Sequence, residues 1–332
     1  MVHHSVQLEK ESLRPLVREL PRYLTFCREN NTIKTYMTAF RKWESWAKNL
    51  GVVALPANST SFSIFILSRI QLDERYSSVR AVYYAVKFIH TFGGLADPTD
   101  HLLVKNIFEA AHRLCKNDIN KKEPLEVSHI ALLYSYLVEK NSSLTNLRTA
   151  VIILVGFAGF LRFEEVINIR RSDVVFMREY MKIFLEKSKT DIYREGRWVL
   201  ISSTDTKYCP VKNLALYFHR TGIQDIDSNE FIFRGITHFK KQKIDRLRVA
   251  NKPISYSRTR ECFLQAVVKV GLPRKIFGLH SLRAGGATAA ANAGIPDRLF
   301  KRHGRWRSET AKDGYVKDNV DSLLLVSQSL GL

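Results

Sequence analysis

The sequence predicts a mainly α-helical protein with one small antiparallel β-sheet. Apolar residues recur at three- and four-residue steps through most of the chain, as amphipathic helices require. Between residues 174 and 201 the pattern changes to short runs rich in Val, Ile, Phe and Trp, separated by polar turns. The length of 332 residues, 45% of them hydrophobic and 25% charged, is typical of a globular protein of about two domains.

Four helices are predicted in the first 120 residues. A cap residue, a Gly pair or a proline marks each helix beginning or end, and no strand-like alternation occurs between them. This part therefore reads as a small helical bundle. The predicted helices begin at Thr32, Phe62, Ser77 and Pro98, and the first and third end near Gly51 and Gly93.

A polar stretch, KNDINKKE before Pro124, predicts an interdomain linker. We place a helical domain at 1–118, the linker at 119–124 and a second domain at 125–332. In the second domain, the runs VVFM, YMKIFLEKSKTD and RWVLIS predict the sheet. Helices are predicted around it at 127–140, 146–160, 210–220, 256–270, 281–293 and 319–330.

The charge balance indicates a polyanionic partner. Lys and Arg number 52 against 32 Asp and Glu, which gives a net charge of +20. Residues 1–123 carry 18 basic and 12 acidic side chains, and residues 124–332 carry 34 and 20. An excess this large favours nucleic acid as the partner, although a basic protein can also be merely soluble.

Several function classes are disfavoured by the sequence. The longest apolar run, 151–161, is too short for a membrane helix, and the N-terminus has no apolar region of the kind that signal peptides need. The four cysteines are widely spaced, which favours an intracellular protein over a disulfide framework. Because no zinc-binding spacing or H-E-x-x-H occurs, we expect no metal and no cofactor.

A histidine and two arginines could act on a phosphate. His280 and Arg283 form an H-x-x-R at the predicted start of a helix, where residues three apart share a face. Arginine grips phosphate through two parallel hydrogen bonds, and histidine can hold or move a proton beside it. H-x-x-R alone is common by chance. Arg162 follows the apolar run, and Glu165 lies one helical step away, able to pair with it.

Three further residues complete an ordered set. Lys189 stands in SKTD at the predicted tip of a β-hairpin. Trp306 follows His280 by 26 residues, and Tyr315 follows Trp306 by nine. Each alone would be read as surface or core. Together, the order Arg, Lys, H-x-x-R, Trp, Tyr resembles the tyrosine recombinases, or phage-integrase-type enzymes.

Three sequence segments are most similar to recombinases of eukaryotic DIRS-type mobile elements. They are SKTDIYREG, HSLRAGGATAAANAG and KRHGRWRSETAKDGYV. The resemblance covers essentially the whole chain. It implies a helical, SAM-like DNA-clamping core-binding domain followed by an α+β catalytic domain. It also implies a site-specific recombinase that cuts and rejoins double-stranded DNA through a 3′-phosphotyrosine, without metal or ATP.

The resemblance implies a role for each site residue. Tyr315 is the nucleophile, while Arg162 and Arg283 clamp the non-bridging phosphate oxygens. His280 supports proton transfer, and Lys189 protonates the leaving 5′ oxygen. Glu165 supports the first arginine, and Trp306 packs in the site and donates its indole N–H. These roles fit the chemistry, because a tyrosine of pKa near 10 and a poor alkoxide leaving group both need cationic and acidic help.

Two positions have competitors. His303 lies close to Trp306 and could fill the same place, but Trp306 preserves the nine-residue step to Tyr315. Lys187 competes with Lys189 for the acid role, and the SKTD wording favours Lys189.

Basic residues outside the site are candidate DNA contacts. A run between residues 240 and 260 carries eight basic side chains, and basic residues of the first domain could form the other half of a clamp that closes at the linker. The candidates are Arg41, Lys42, Arg80, Lys87, Lys240, Lys241, Lys243 and Arg258.

A homodimer or tetramer on DNA is expected, since an apolar patch at Leu323, Leu324, Leu325 and Leu330 could dock onto a neighbouring protomer as well as onto its own domain. The expected location is intracellular, and nuclear in a eukaryotic cell. A non-catalytic DNA-binding descendant of such an enzyme and a topoisomerase-like enzyme are the alternatives.

Overall fold

The structure is a computed structural model. It describes residues 13–117, 121–140, 143–187, 191, 195–239, 241–242, 244–318 and 320–330. The chain divides into two compact units, Met1–Asn120 and Lys121–Leu332. Residues next to the division belong to the second unit by hydrogen bonding, since the Glu123 N–H donates to the Ile276 carbonyl at 2.9 Å.

The first unit is helical throughout its described part. Its core is aromatic: Trp43, Phe62 and Phe65 are fully buried, and Trp43 meets both phenylalanines edge to face. Asn58 caps the third helix by accepting the N–H groups of Thr60 and Ser61. The helices are α1 Arg14–Leu24, α2 Asn30–Asn49, α3 Ser59–Gln71, α4 Tyr76–Gly93 and α5 Leu102–Leu114.

The second unit surrounds one long apolar helix with shorter helices and two small sheets. The helix predicted at 146–160, which holds the longest apolar run, is this central helix, α7. It is buried along nearly its whole length. The helices are α6 Val127–Tyr134, extended by a π turn at Ser135–Glu139, α7 Leu144–Ala158, α8 Phe163–Ile167, α9 Pro210–Thr221, α10 Tyr256–Lys269, α11 His280–Asn292, α12 Asp297–Gly304, α13 Glu309–Asp313 and α14 Val320–Gln328.

The strands form two antiparallel sheets. The first has the order β1-β2-β3, with strands Val174–Phe176, Tyr180–Leu185 and Arg197–Ser202. Alternate residues of β2 and β3 face the core, as period-two patterning requires. The second sheet is a hairpin of β4 Ile236–Phe239 and β5 Ile244–Leu247.

The predicted fold class is confirmed: the described chain is mainly helical with small antiparallel sheets. The β4–β5 hairpin was not predicted, because the basic residues between 240 and 260 hide its short apolar alternation. Helix starts shift by a few residues. The first predicted helix begins at Asn30 rather than Thr32, and the fourth at Leu102, because Pro98–Asp100 forms a separate 3₁₀ turn.

Across the residues that the structure describes, no helix is long and apolar enough to cross a membrane. The same residues contain no group of three or more His, Cys, Asp or Glu side chains that could hold a metal ion.

Candidate active site

The turn after α7 presents the first arginine. The helix ends at Ala158, and Phe160 takes a left-handed backbone conformation, with φ of 48°. The chain then reverses so that Arg162 becomes the N-cap of α8. Glu165 closes this cap: it accepts the Arg162 backbone N–H at 2.8 Å and the Arg162 Nη1 at 2.7 Å. The pairing of these two residues, expected from their spacing, is present.

The second arginine is fully buried on α11. Arg283 donates from Nη1 to the Phe160 carbonyl and from Nη2 to the Gly304 carbonyl at 2.6 Å. Two glycines make this close approach possible. A Cβ at Gly285 would lie 2.2 Å from the Leu125 carbonyl oxygen, and one at Gly286 would lie 2.1 Å from the Phe157 carbonyl oxygen. The Gly-Gly after Arg283 therefore lets α11 press against the end of α7.

Two aromatic rings cover Arg283. Its Cζ lies 4.9 Å from the ring centroids of both Trp306 and Tyr315, which are themselves 5.7 Å apart. Trp306 is 6% exposed, whereas Tyr315 is half-buried. The Thr288 hydroxyl, one turn after Arg283 on α11, donates to the Tyr315 carbonyl at 3.4 Å. The tyrosine is thus anchored to the helix that carries the arginine.

His303 and Trp306, the two candidates for the position beside Tyr315, have different contacts in the structure. The His303 Nε2 donates to the Ala158 carbonyl at 2.8 Å, and its ring packs edge-on against Phe160. Burial lowers the pKa of His303, so this imidazole is neutral near pH 7. It is Trp306, and not His303, that contacts Arg283 and Tyr315.

The remaining predicted residues are less enclosed. His280 is the first residue of α11, exposed and one turn before Arg283. Lys187 is exposed just beyond β2. Lys189 lies outside the described residues.

Three guanidinium groups share the buried Glu165 carboxylate. Its Oε2 accepts Arg305 Nη2 at 2.9 Å and lies 3.9 Å from Arg283 Nη1, while its Oε1 accepts Arg162. Burial alone would raise the pKa of Glu165, but the neighbouring cations, Arg305 first, lower it below its usual value. Burial, and then the charges of Arg162 and Arg305, lower the pKa of Arg283, which nevertheless stays protonated at neutral pH. The cluster keeps a net positive charge.

Three buried donors in this cluster have no hydrogen-bond partner among the described residues. They are the Nε atoms of Arg283 and Arg305 and the Nε1 of Trp306. The buried Nε atoms of Arg148, Arg171 and Arg234, elsewhere in the second unit, are in the same state. An unpaired buried N–H costs about 1–3 kcal/mol, so such groups in a native protein call for an explanation. The donors of Arg283 and Trp306 lie together in a site that carries surplus positive charge, where an anionic acceptor would satisfy them.

Sequence reasoning missed Arg305. Its side chain is 5% exposed, and it joins Glu165 to the turn after α7. An arginine flanked by Gly304 and Trp306 gives no periodic signal. Its left-handed φ of 58° became evident only in the structure.

The candidate DNA contacts of the first unit differ in their surroundings. Lys42 pairs with Glu74 at 3.1 Å, and Lys87 with Asp97 at 3.0 Å. Arg41 and Arg80 are exposed and form no ion pair with another described residue.

In the second unit, Lys241 is exposed at the turn of the β4–β5 hairpin. Arg258, also exposed, pairs with Glu261 at 2.7 Å on α10. Lys240 and Lys243 lie outside the described residues, as does the side chain of Leu325 in the apolar patch of α14. Leu323, Leu324 and Leu330 are exposed.

The sequence was compared with family models and with known proteins. No family model matches the chain. An integrase/recombinase XerD homolog from Selenomonas ruminantium is 26% identical over 300 residues, which cover 89% of this chain and 84% of the relative. The resemblance to the tyrosine recombinases, or integrases, is confirmed. The narrower likeness to DIRS-type recombinases stays a prediction.

Solved structures show that the recombinase fold extends over nearly the whole chain. The XerH site-specific recombinase bound to a palindromic difH substrate matches with a TM-score of 0.61 and 13% identity, covering 90% of this chain and 78% of that one. A lambda integrase dimer bound to a COC′ core site matches with a TM-score of 0.57 and 16% identity, covering 91% and 95%. The Tn1549 transposon integrase in complex with transposon right end DNA matches with a TM-score of 0.59 and 16% identity, covering 92% and 95%.

Proposed function

We propose that the protein is a site-specific DNA recombinase that cleaves and rejoins strands through Tyr315. The observation that carries this proposal is the cluster in which Arg283 lies under the rings of both Trp306 and Tyr315. A nucleophile, a phosphate-binding cation and two unpaired buried donors share this place. The likeness to an integrase/recombinase XerD homolog supports the same chemistry.

The proposed reaction is a transesterification at one phosphodiester. The Tyr315 oxygen loses its proton and bonds to phosphorus, and the bond from phosphorus to the 5′ oxygen breaks. The product strand ends are a 3′-phosphotyrosine and a free 5′ hydroxyl. Attack by a 5′ hydroxyl reverses the step and frees Tyr315, so no external energy source is consumed.

Each remaining residue has a proposed part. Arg162 and Arg283 neutralise the charge that develops on the non-bridging oxygens, aided by the Trp306 N–H, because fixed donors stabilise a transition state more than they stabilise substrate. His280, at the start of the helix that carries Arg283, supports proton transfer. Glu165 holds Arg162 in place.

Lys189 is the proposed acid for the leaving 5′ oxygen. Nearby cations lower a lysine pKa, which suits it to donate a proton near neutral pH. We expect Lys189→Ala to cripple cleavage and Lys187→Ala to leave it nearly unchanged, measured as the rate of covalent complex formation. Adding a substrate with a 5′-thiolate leaving group should restore Lys189→Ala. Equal losses in both variants would contradict this assignment.

The proposed substrate is double-stranded DNA, and the active form is a homodimer or tetramer assembled on it. The net charge of +20 supports DNA binding. The matched lambda integrase is a dimer on its core site, and this arrangement supports an oligomer here. In a eukaryotic cell, DNA recombination places the protein in the nucleus, which imaging of a tagged full-length chain would test.

Covalent capture tests the function directly. The full-length protein is mixed with a randomised duplex library containing nicks, the mixture is denatured, and the protein-linked DNA is sequenced. Wild type should yield linked DNA of one sequence class, and Tyr315→Phe should yield none. If neither protein links DNA but both shift it on a gel, the protein is a non-catalytic DNA-binding descendant. Relaxation of plasmid of random sequence would instead indicate a topoisomerase-like enzyme.

A further inference from the structure

We propose that Arg305 is a positioning residue of the strand-transfer site, which sets the turn after α7 and the Glu165 carboxylate so that Arg162 and Arg283 converge on one phosphate. The inference rests on the proposed function. Arg305 is 5% exposed and lies beneath the site, so it does not itself meet DNA.

The guanidinium of Arg305 bridges three parts of the unit. Its Nη1 donates to the His303 carbonyl at 2.9 Å and to the Gly159 carbonyl at 3.2 Å. Its Nη2 donates to the Phe160 carbonyl at 3.0 Å and to Glu165 Oε2 at 2.9 Å. One planar fork therefore joins the end of α12, the turn after α7 and the first turn of α8. Lysine could not reproduce this, because its ammonium is a single point of charge.

The fork contacts a partner of each phosphate-binding arginine. The Phe160 carbonyl accepts from both Arg305 and Arg283. Glu165 accepts from both Arg305 and Arg162. A displacement of Arg305 thus releases both arginines together, without removing any group that touches the substrate.

The backbone at both ends of this bridge is strained. Phe160 and Arg305, with φ of 48° and 58°, are the two non-glycine residues of positive φ among the described residues of the second unit. Such conformations cost about 1–3 kcal/mol for a non-glycine residue and cluster at functional sites, where surrounding contacts hold them. The left-handed turn at Arg305 also delivers Trp306, whose ring folds back so closely that a Cβ at Gly304 would lie 1.8 Å from it.

The experiment compares two buried arginines of the same unit. Arg305→Met removes the bridge. Arg148→Met is the matched control, because Arg148 is also buried, at 3% exposed, and its Nη1 donates to the Arg234 carbonyl, which is not part of the site. For each full-length variant we measure the melting temperature, the Kd for a cleavable site and the single-turnover rate of covalent capture at saturating DNA.

Arg305→Met should lower the capture rate at least 100-fold while its Kd stays within about threefold of wild type. Arg148→Met should lower the melting temperature but leave the capture rate per folded molecule within about threefold. Equal losses of rate in the two variants, or a rate in Arg305→Met that merely follows its folded fraction, would overturn the proposal.

The pH profile is a readout that a purely structural role would not move. Glu165 faces Arg162, Arg283 and Arg305, and His303 lies beside this group with its Nε2 on Ala158. Without Arg305, protonation of Glu165 shifts to higher pH, so Arg305→Met should show an acid limb of capture rate that wild type lacks over the same range. A profile parallel to that of wild type counts against positioning.

Should Arg305→Met fail to fold, Arg305→Lys keeps the charge and tests the fork alone, with an expected loss of at least tenfold in capture rate. A wild-type rate in Arg305→Lys would overturn the proposal. If wild type captures DNA through Tyr315 and either Arg305 variant captures it at the same rate, only the proposed role of Arg305 is contradicted. If wild type captures no DNA, the proposed function is contradicted, and the inference about Arg305 is contradicted with it.

Discussion

Trp43 in the first unit and Trp306 in the second are both buried, yet their indole N–H groups are treated differently. Trp43 is fully buried and donates to the Ala54 carbonyl at 2.9 Å. Trp306 is 6% exposed, and its N–H has no partner among the described residues. The same side chain completes a satisfied core in one unit and leaves a donor unused in the other.

The surroundings of the two tryptophans explain this difference. Trp43 packs against the rings of Phe62 and Phe65, an apolar setting in which an unpaired donor would only cost stability. Trp306 packs on the guanidinium of Arg283. An unpaired buried donor does not by itself mark a site, because the Nε atoms of Arg148, Arg171 and Arg234 are unpaired as well. The Trp306 donor differs from them in its place beside Arg283, where the proposed anionic substrate would accept it.

Glu165→Gln tests how much the buried carboxylate shared by three arginines contributes to the stability of the second unit. Breaking a buried ion pair by removing one charge costs about 3–5 kcal/mol, because the remaining charge is left uncompensated. Three guanidinium groups share this carboxylate, so we expect a loss of that size in the free energy of unfolding of the second unit. Urea unfolding, followed by hydrogen exchange of the α7 amides, measures it. A change below about 1 kcal/mol would show that the arginines do not depend on this carboxylate.

The difference in stability between wild type and Glu165→Gln is expected to depend on pH. Because the pKa of Glu165 is lowered on folding, its contribution to stability is full above its unfolded value of 4.5 and is lost as pH falls through the folded pKa. The difference in unfolding free energy between wild type and Glu165→Gln should therefore stay constant as pH falls from 7 to 4.5 and shrink at lower pH. A difference that grows toward acid pH would have the wrong sign.

Replacing each tryptophan by phenylalanine separates core from site. Trp43→Phe leaves the Ala54 carbonyl without its donor and a gap in the core, so we expect a loss of about 2 kcal/mol in stability. Trp306→Phe breaks no hydrogen bond, so its loss should be about half as large, whereas covalent capture should slow about 100-fold for the missing donor. Denaturation and capture rates are measured on both. An unchanged capture rate in Trp306→Phe would remove the indole from the mechanism.

The smallest expected effect concerns cations on the first unit. Arg41 and Arg80 have no ion-pair partner among the described residues, while Lys42 and Lys87 pair with Glu74 and Asp97. Each phosphate contact adds about 0.9 to the slope of log binding constant against log salt concentration. The double variant of Arg41→Ala and Arg80→Ala should therefore lower the slope by roughly 1 to 2.

The double variant of Lys42→Ala and Lys87→Ala, measured on the same DNA, should change that slope by less than about 0.5, because internal carboxylates already neutralise these lysines. The same reduction in both pairs would show that the ion pairs open on DNA.

Local sequence signals predicted much of the fold. The period of apolar residues located most of the longer helices of both units, and the β-rich runs located the three strands of the first sheet. The helices α1, α8, α12 and α13 were not predicted. The β4–β5 hairpin was missed, because its two short strands carry as many polar as apolar residues and β5 packs beside α7. For the site, the pairing of Arg162 with Glu165 followed from a three-residue step, which local geometry fixes.

By itself, the sequence determined which side chains are available for phosphate chemistry and the order in which they come, because residue type and spacing fix charge, acidity and helix face. The nine-residue step to Tyr315 already favoured Trp306 over His303. The tertiary structure alone decided that His303 binds the Ala158 carbonyl and that Arg305 joins a partner of each arginine. These contacts span more than a hundred residues of chain and rely on two left-handed turns that no local pattern encodes. Only burial in a common centre makes one carboxylate serve three cations.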